Sequence, residues 1–188
     1  MVNKFCEGIS SASSYVHGWI KKQPSVGEES ITDWFLFKLS EDLPEIKYRK
    51  FNRHQEAKVT GADWEWWFVD EKSALCLRIQ AKKLKSDSDN YSGLARTNRY
   101  GLQIEKLMSD AKAKNSIPFY AFYYAPDDSP TVMCGGNENS GRNQGVFISY
   151  AQSVYDEFFE NGRVEAKSDR LLELSNPIKC LVCCKVSP

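Results

Sequence analysis

Histidine is scarce in this chain: only His17 and His54 occur. Neither sits in a strand-turn-helix nucleophile motif, which disfavours a serine or cysteine hydrolase built on a histidine base. No apolar run approaches the length that crosses a bilayer. The opening residues, Met1 to Gly8, lack the long apolar segment of a secretory signal, so a cytoplasmic, membrane-free protein is the expectation. Net charge is also lacking: 25 basic side chains face 25 acidic ones, which argues against coating nucleic acid by bulk electrostatics. Gly135, Gly136 and Gly141 stand without the Lys and Ser/Thr of a phosphate-binding loop. Cys180 and Cys183 have zinc-knuckle spacing, but no second pair or histidine cluster accompanies them. No internal repeat is visible.

What is present points to one globular α/β domain. The 188 residues are 41% hydrophobic and 13% aromatic, enough for a single sizeable core. Residues 1–27, rich in Ser and Gly, read as a partly mobile N-terminal segment with a short helix near Tyr15 to Lys22. Residues 28–188 read as the domain proper, with a core over 28–124 and a C-terminal elaboration over 125–188. Within it the spacing of Ile31, Trp34, Phe35, Phe37 and Leu39 predicts a helix over 28–39, ended by Pro44. A strand follows over 45–51, then a hairpin over 63–82, a polar loop over 83–90 and a helix over 94–115. Further strands are expected over 118–124, 145–150 and 178–186, a patternless loop over 133–145, and a short helix over 151–160. Three of the six cysteines lie in the apolar run from Cys180 to Cys184 and read as reduced core thiols.

The hairpin carries the chemistry. Asp63 opens the aromatic run Trp64-Glu65-Trp66-Trp67-Phe68-Val69, Asp70 to Ser73 form the turn, and Ala74 to Lys82 return antiparallel. Period two puts Leu75, Leu77, Ile79 and Ala81 on one face and Cys76, Arg78, Gln80 and Lys82 on the other. Gln80 and Lys82 therefore arrive together beside Asp63. Trp64, Trp66 and Trp67 read as core rather than as base-stacking residues. From Glu28 to Glu71 eleven acids face six bases, whereas from Arg78 to Lys106 seven bases face three acids. An acidic cluster able to hold a cation thus adjoins a basic stretch able to hold phosphate, with Lys83 and Arg99 as candidate substrate contacts.

Phosphodiester hydrolysis needs charge neutralised on the phosphoryl oxygens and a nucleophilic water, and a hard divalent cation held by carboxylates and amide oxygens supplies both. Asp63 is the first candidate ligand, Gln80 adds an amide oxygen, and Lys82 is placed to act on the water or the transition state. Glu29 on the first helix could complete the set, in competition with Glu28 and Asp33, and Glu56 is a further candidate.

Asp63 with Gln80-Ala81-Lys82 resembles the PD-(D/E)XK nuclease superfamily in its Gln-Xaa-Lys form, the Mrr-like restriction endonucleases. The resemblance spans residues 28–124 and implies a restriction-endonuclease-like core: helix, three-stranded antiparallel meander, helix and parallel strand. It implies Asp63 as metal ligand, Gln80 in the position usually held by an acid, Lys82 as catalytic lysine and Glu29 as the acid of the first helix. Gln103 matches in placement a glutamine that the RecB-like branch uses near DNA. A Mg2+- or Mn2+-dependent endonuclease acting on nucleic acid, DNA before RNA, and working as a homodimer, is the expectation; a catalytically inactive binding module of the same fold is the alternative. The motif's Pro is Ala62 here, and Gln80 leaves the site one negative charge short.

Overall fold

The computed structural model of the chain describes residues 4–69, 71–84, 94–125, 144–160 and 166–183. In chain order these form α1 (Lys4–Lys22), α2 (Glu28–Asp42), β1 (Ile46–Lys50), α3 (Arg53–Gln55), a π turn (Glu56–Thr60), β2 (Trp64–Val69) and β3 (Ala74–Lys83). There follow a short hairpin of β4 (Thr97–Asn98) and β5 (Gly101–Leu102), then α4 (Gln103–Ala113), β6 (Ile117–Tyr124) and β7 (Gly145–Tyr150). The chain continues through α5 (Ala151–Tyr155) into a second π turn (Asp156–Glu160), α6 (Ser168–Glu173), β8 (Asn176–Pro177) and α7 (Cys180–Cys183). The protein is a mixed α/β domain around a six-stranded sheet of order β1-β2-β3-β6-β7-β8. β1, β2 and β3 are antiparallel neighbours, β6 lies parallel to β3, and β7 and β8 return antiparallel.

Strict alternation along β2 and β3 divides the two cores. Trp64, Trp66, Leu77, Ile79 and Ala81 face α1 and α2, in a cluster completed by Ile31, Phe35, Leu36 and Leu39 of α2. Tyr120, Phe122 and Phe147 face the other side, where Ile104 and Leu107 of α4 and Val154 of α5 cover them. Parallel strands need a long connection, and α4 occupies the one between β3 and β6. Gln80 and Lys82 fall on the α4 side, as period two requires.

Arg78 joins sheet to helix on that side. It stands opposite Glu65 in the β2–β3 register, with Nε 3.2 Å from Glu65 Oε2, and its Nη1 donates to Asp110 Oδ2 of α4. Its guanidinium also covers the Phe51 ring at 4.9 Å. Arg78 and Glu65 are buried and Asp110 is half-buried. Arg78 is thus withdrawn from the basic stretch expected to meet phosphate.

The N-terminal segment departs most from expectation. α1 begins at residue 4 rather than near 15, and Ile9, Ala12, Val16 and Ile20 enter the core. Its docking is specific: Ser13 Oγ donates to Gln144 O at 2.6 Å and accepts from Val146 N at 2.9 Å. Gly145, at φ +87°, permits that approach, since a Cβ there would lie 1.9 Å from Ser13 O. The helix after β3 starts at Gln103, because residues 97–102 form the small hairpin instead. Residues 180–183 are a helical turn, not the strand expected over 178–186, and residues 184–186 of that stretch lie outside the described residues. The reading of reduced thiols is corrected for Cys183: Cys6 of α1 and Cys183 of α7 form a disulfide, Cα–Cα 5.0 Å, linking the two ends of the chain, whereas Cys180 is in no disulfide and Cys184 lies outside the described residues. Residues 85–90 and 133–143 of the expected loops also lie outside the described residues.

Removing one partner of a buried ion pair strands the other charges. Arg78→Ala is therefore expected to cost about 3–5 kcal/mol of unfolding free energy in urea titrations. A loss within about 0.5 kcal/mol, the scale of a plain surface change, would show that Arg78 does not hold α4 to the sheet.

Candidate active site

The approach to Asp63 is set by a tight passage. The π turn Glu56–Thr60 closes on Gly61, whose φ of +62° is left-handed, and the Gly61 N–H donates to Glu56 O. A Cβ on Gly61 would lie 2.5 Å from both Gln103 O and Leu107 N. The first turn of α4 is therefore packed directly on this passage, and only glycine fits. π turns frequently mark functional positions. Beyond it, Asp63 N donates to Ile79 O at 2.8 Å and Asp63 O accepts from Phe51 N at 2.7 Å, which pins the backbone between the end of β1 and β3.

The side chains form one polar chain. Asp63 Oδ2 accepts from Gln80 Nε2 and from Ala81 N, each at 2.6 Å. Gln80 Oε1 in turn accepts from Gln103 Nε2 at 2.7 Å, and the same Gln103 nitrogen donates to Glu56 Oε1 at 2.6 Å. Two carboxylates, Asp63 and Glu56, are thus bridged by two primary amides. Gln80 is 0% exposed and Gln103 is 4% exposed, and Gln103 Oε1 has no hydrogen-bond partner among the described residues. Burial, reinforced by the nearby Glu56 charge, pushes the Asp63 pKa up to about 7 against the opposing pull of the Lys82 ammonium and the Ala81 N–H. Lys82 is 6% exposed and lies on the same face of β3 as Gln80. The Tyr120 hydroxyl, in register with Gln80 on β6, is buried without a hydrogen-bond partner among the described residues and feels the Asp63 charge.

This chain opens into a pocket of about 690 Å³ between α2 and the α3 region, lined by Glu28, Glu29, Glu56, Asp63 and Gln103 with Lys50, Arg53 and Arg96 among its bases. It sits beside the C-terminal ends of the parallel strands β3 and β6, where open α/β sheets bind their ligands. Asp63, Gln80 and Lys82 therefore come together as expected, and Gln103, expected as a contact to DNA, joins them through Gln80. Glu29 does not join them: its exposed carboxylate accepts from Arg53 Nη2 at 3.0 Å and lies 3.9 Å from Lys50 Nζ. Arg53 accordingly holds the Glu29 pKa down. Its neighbour Glu28 turns inward, with Oε2 accepting from Lys83 N at 2.7 Å.

Lys83 and Arg99 are not in the pocket lining. Lys83 Nζ donates to Val26 O at 2.8 Å and to Pro24 O, holding the α1–α2 connection. Arg99 lies over the Tyr100 ring at 4.7 Å. Arg96 and Asn98, which no motif signalled, line the pocket instead. Lys106, one turn into α4, donates to Ala57 O at 2.8 Å and Asn98 Oδ1 at 3.0 Å and fixes the opposite wall.

Among the described residues no three His, Cys, Asp or Glu side chains gather as a ready metal cage. Two carboxylates with amide oxygens nearby fit a hard cation that keeps several of its waters, and the orphaned Gln103 oxygen is a donor without an assignment. A soft, thiolate- or imidazole-held ion does not fit.

Fold and site together define a mixed α/β domain with an acid–amide chain, its two amides buried, at the carboxyl end of its parallel strand pair. The chain belongs to a family of unknown function (DUF6615), whose match covers residues 5–187. A search of curated proteins finds no match.

The Asp63 carboxyl, ordinarily at 3.8 and here at about 7, binds a proton more tightly folded than unfolded. Its contribution is full below about pH 4, falls as pH rises toward 7 and is absent above. Relative to wild type, Asp63→Asn is expected to gain up to about 4 kcal/mol of stability between pH 4 and pH 8 in metal-free buffer. Parallel stability profiles for the two proteins would contradict the burial of this charge.

Proposed function

We propose that this protein is a divalent-cation-dependent phosphodiesterase of the endonuclease type, with a restriction-endonuclease-like core, acting on nucleic acid and on DNA before RNA. The observation that carries the reading is the meeting of Asp63, Gln80 and Lys82 at the carboxyl end of β3, inside a helix, antiparallel meander, helix and parallel strand order. Mg2+ or Mn2+ would be held by Asp63 and the amide oxygen of Gln80, and when bound would supply charge neutralisation on the phosphate and a more acidic water. Ala81 N–H fixes one carboxylate oxygen of Asp63. Lys82 brings a positive charge to within interaction range of that carboxylate, the position from which an ammonium can steady a developing phosphoryl charge or take part in moving a proton from water. The bases Lys50, Arg53 and Arg96 line the pocket and offer contacts for the flanking phosphates.

A homodimer, or recognition of a substrate's shape, would choose the cutting site. One observation favours the second reading, a nuclease-fold module that binds without turnover. Gln80 stands where an acid would ligate, and its N–H group rather than its oxygen faces Asp63.

The readings separate in a plasmid-cleavage assay with Mg2+ or Mn2+, with RNA in parallel. The hydrolase reading expects metal-dependent cleavage that falls about a hundredfold or more in Asp63→Ala and Lys82→Ala. Cleavage absent from the wild type, or equal in both variants, would sink it.

A further inference from the structure

The polar chain contains an acid that no part of the Gln-Xaa-Lys motif accounts for. Glu56 belongs to the π turn before β2, seven residues ahead of Asp63, yet its carboxylate lines the same pocket. Only two amide groups separate it from Asp63, in contacts of 2.6, 2.7 and 2.6 Å. The placement is rigidly enforced. Gly61 N–H closes the π turn onto Glu56 O, Lys106 Nζ holds the adjacent Ala57 O, and the α4 backbone packs on Gly61. A mere surface acid would not be buttressed from three sides.

The amide orientations add a second, independent observation. Gln103 is more than nine-tenths buried and lines the pocket, its Nε2 lies between two acceptors, and its Oε1 has no partner among the described residues. Leaving a buried amide oxygen unpaired costs on the order of 1–3 kcal/mol, so the arrangement is one that a ligand would improve. A half-turn of both glutamine amides keeps the Gln80–Gln103 hydrogen bond with its polarity reversed. After it, Gln80 Oε1 faces Asp63 and Gln103 Oε1 faces Glu56. Four oxygen donors, two charged and two neutral, then line the space that N–H groups fill.

We propose that Glu56 is the second carboxylate of a divalent-cation site shared with Asp63, and that the Gln80 and Gln103 amides close this site when it is empty and turn their oxygens toward the cation when it binds. The proposal rests on the cation-dependent reading of this pocket, and it moves the second acid from the α2 residue Glu29 to the π turn. Each carboxylate reaches the ion directly or through one of its retained waters, a ligand set suited to Mg2+ or Mn2+.

The test is Mn2+ binding, followed by electron paramagnetic resonance and isothermal titration with no nucleic acid present. Wild type is expected to bind Mn2+ saturably, Glu56→Gln to bind about tenfold or more weakly, and Glu29→Gln to stay within about threefold of wild type. Thermal melting checks that the variants fold; if Glu56→Gln does not, Glu56→Asp serves, with weakened but measurable binding expected. Wild-type affinity in a folded Glu56 variant would overturn the proposal. So would the absence of saturable Mn2+ binding by the wild type, or a loss seen with Glu29→Gln instead. Glu56-dependent Mn2+ binding without any cleavage would overturn the hydrolase reading alone. Cleavage that needs Asp63 but is indifferent to Glu56→Gln would overturn this proposal alone.

Discussion

A carboxylate taken out of water must be neutralised, hydrogen-bonded on its free lone pairs, or paired with a cation. Asp63 meets this requirement at the seam where β2 starts and β3 ends, with one oxygen shared between a backbone N–H and the Gln80 amide. Burial and the Glu56 charge together exceed what the Ala81 N–H and Lys82 give back, so the carboxyl titrates near neutrality. An acid held in this condition gains from a divalent ion, which can take over the role of the proton. The ligand set proposed for that ion is lean for the same reason, because a third close carboxylate would add repulsion to a site already short of positive charge.

The surrounding architecture serves to hold that seam. Period-two alternation gives one face of β3 to the α1–α2 core and leaves Arg78, Gln80 and Lys82 for the α4 side. Arg78, paired with Glu65 and Asp110, ties the C-terminal half of α4 to the middle of β3; Gln103, at the helix start, reaches Gln80 two residues further along the strand. Between them Gly61 lets the α4 backbone close on the π turn. On the opposite face α1 docks through Ser13 onto β7, and the Cys6–Cys183 bond joins the chain ends at a distance from the pocket lining. The stability of the outer layers and the geometry of the site are thus carried by different contacts.

The hairpin was legible because strand phase is a local property: alternation alone placed Gln80 and Lys82 on one side and brought them back to Asp63. The burial of Trp64 and Trp66 was legible for the same reason, while Trp67, one residue out of phase, is partly exposed. Glu29 against Glu28 was not legible, since neighbouring helical residues differ by about a quarter turn and the choice is made by partners far away in sequence, Arg53 for one and the Lys83 amide for the other. Lys83 reads as a phosphate contact from charge alone, yet its ammonium is occupied by carbonyls of the α1–α2 connection. The disulfide joins residues 177 apart, a pairing that spacing cannot reveal. The N-terminal half of helix α1 gives a weak signal because its apolar stripe is diluted by Ser and Gly, and Gly145 supplies the close approach that makes Ser13 a docking residue.

The central claim is that Asp63 and Glu56 face a common cation site closed by two amides. Crystals grown with Mn2+, with diffraction data collected at the manganese edge, test it most directly. The expected result is an anomalous peak between the Asp63 and Glu56 carboxylates, with the Gln80 and Gln103 oxygens turned toward it. A peak at the Glu29–Arg53 rim instead, or none in the pocket at saturating Mn2+, would contradict it.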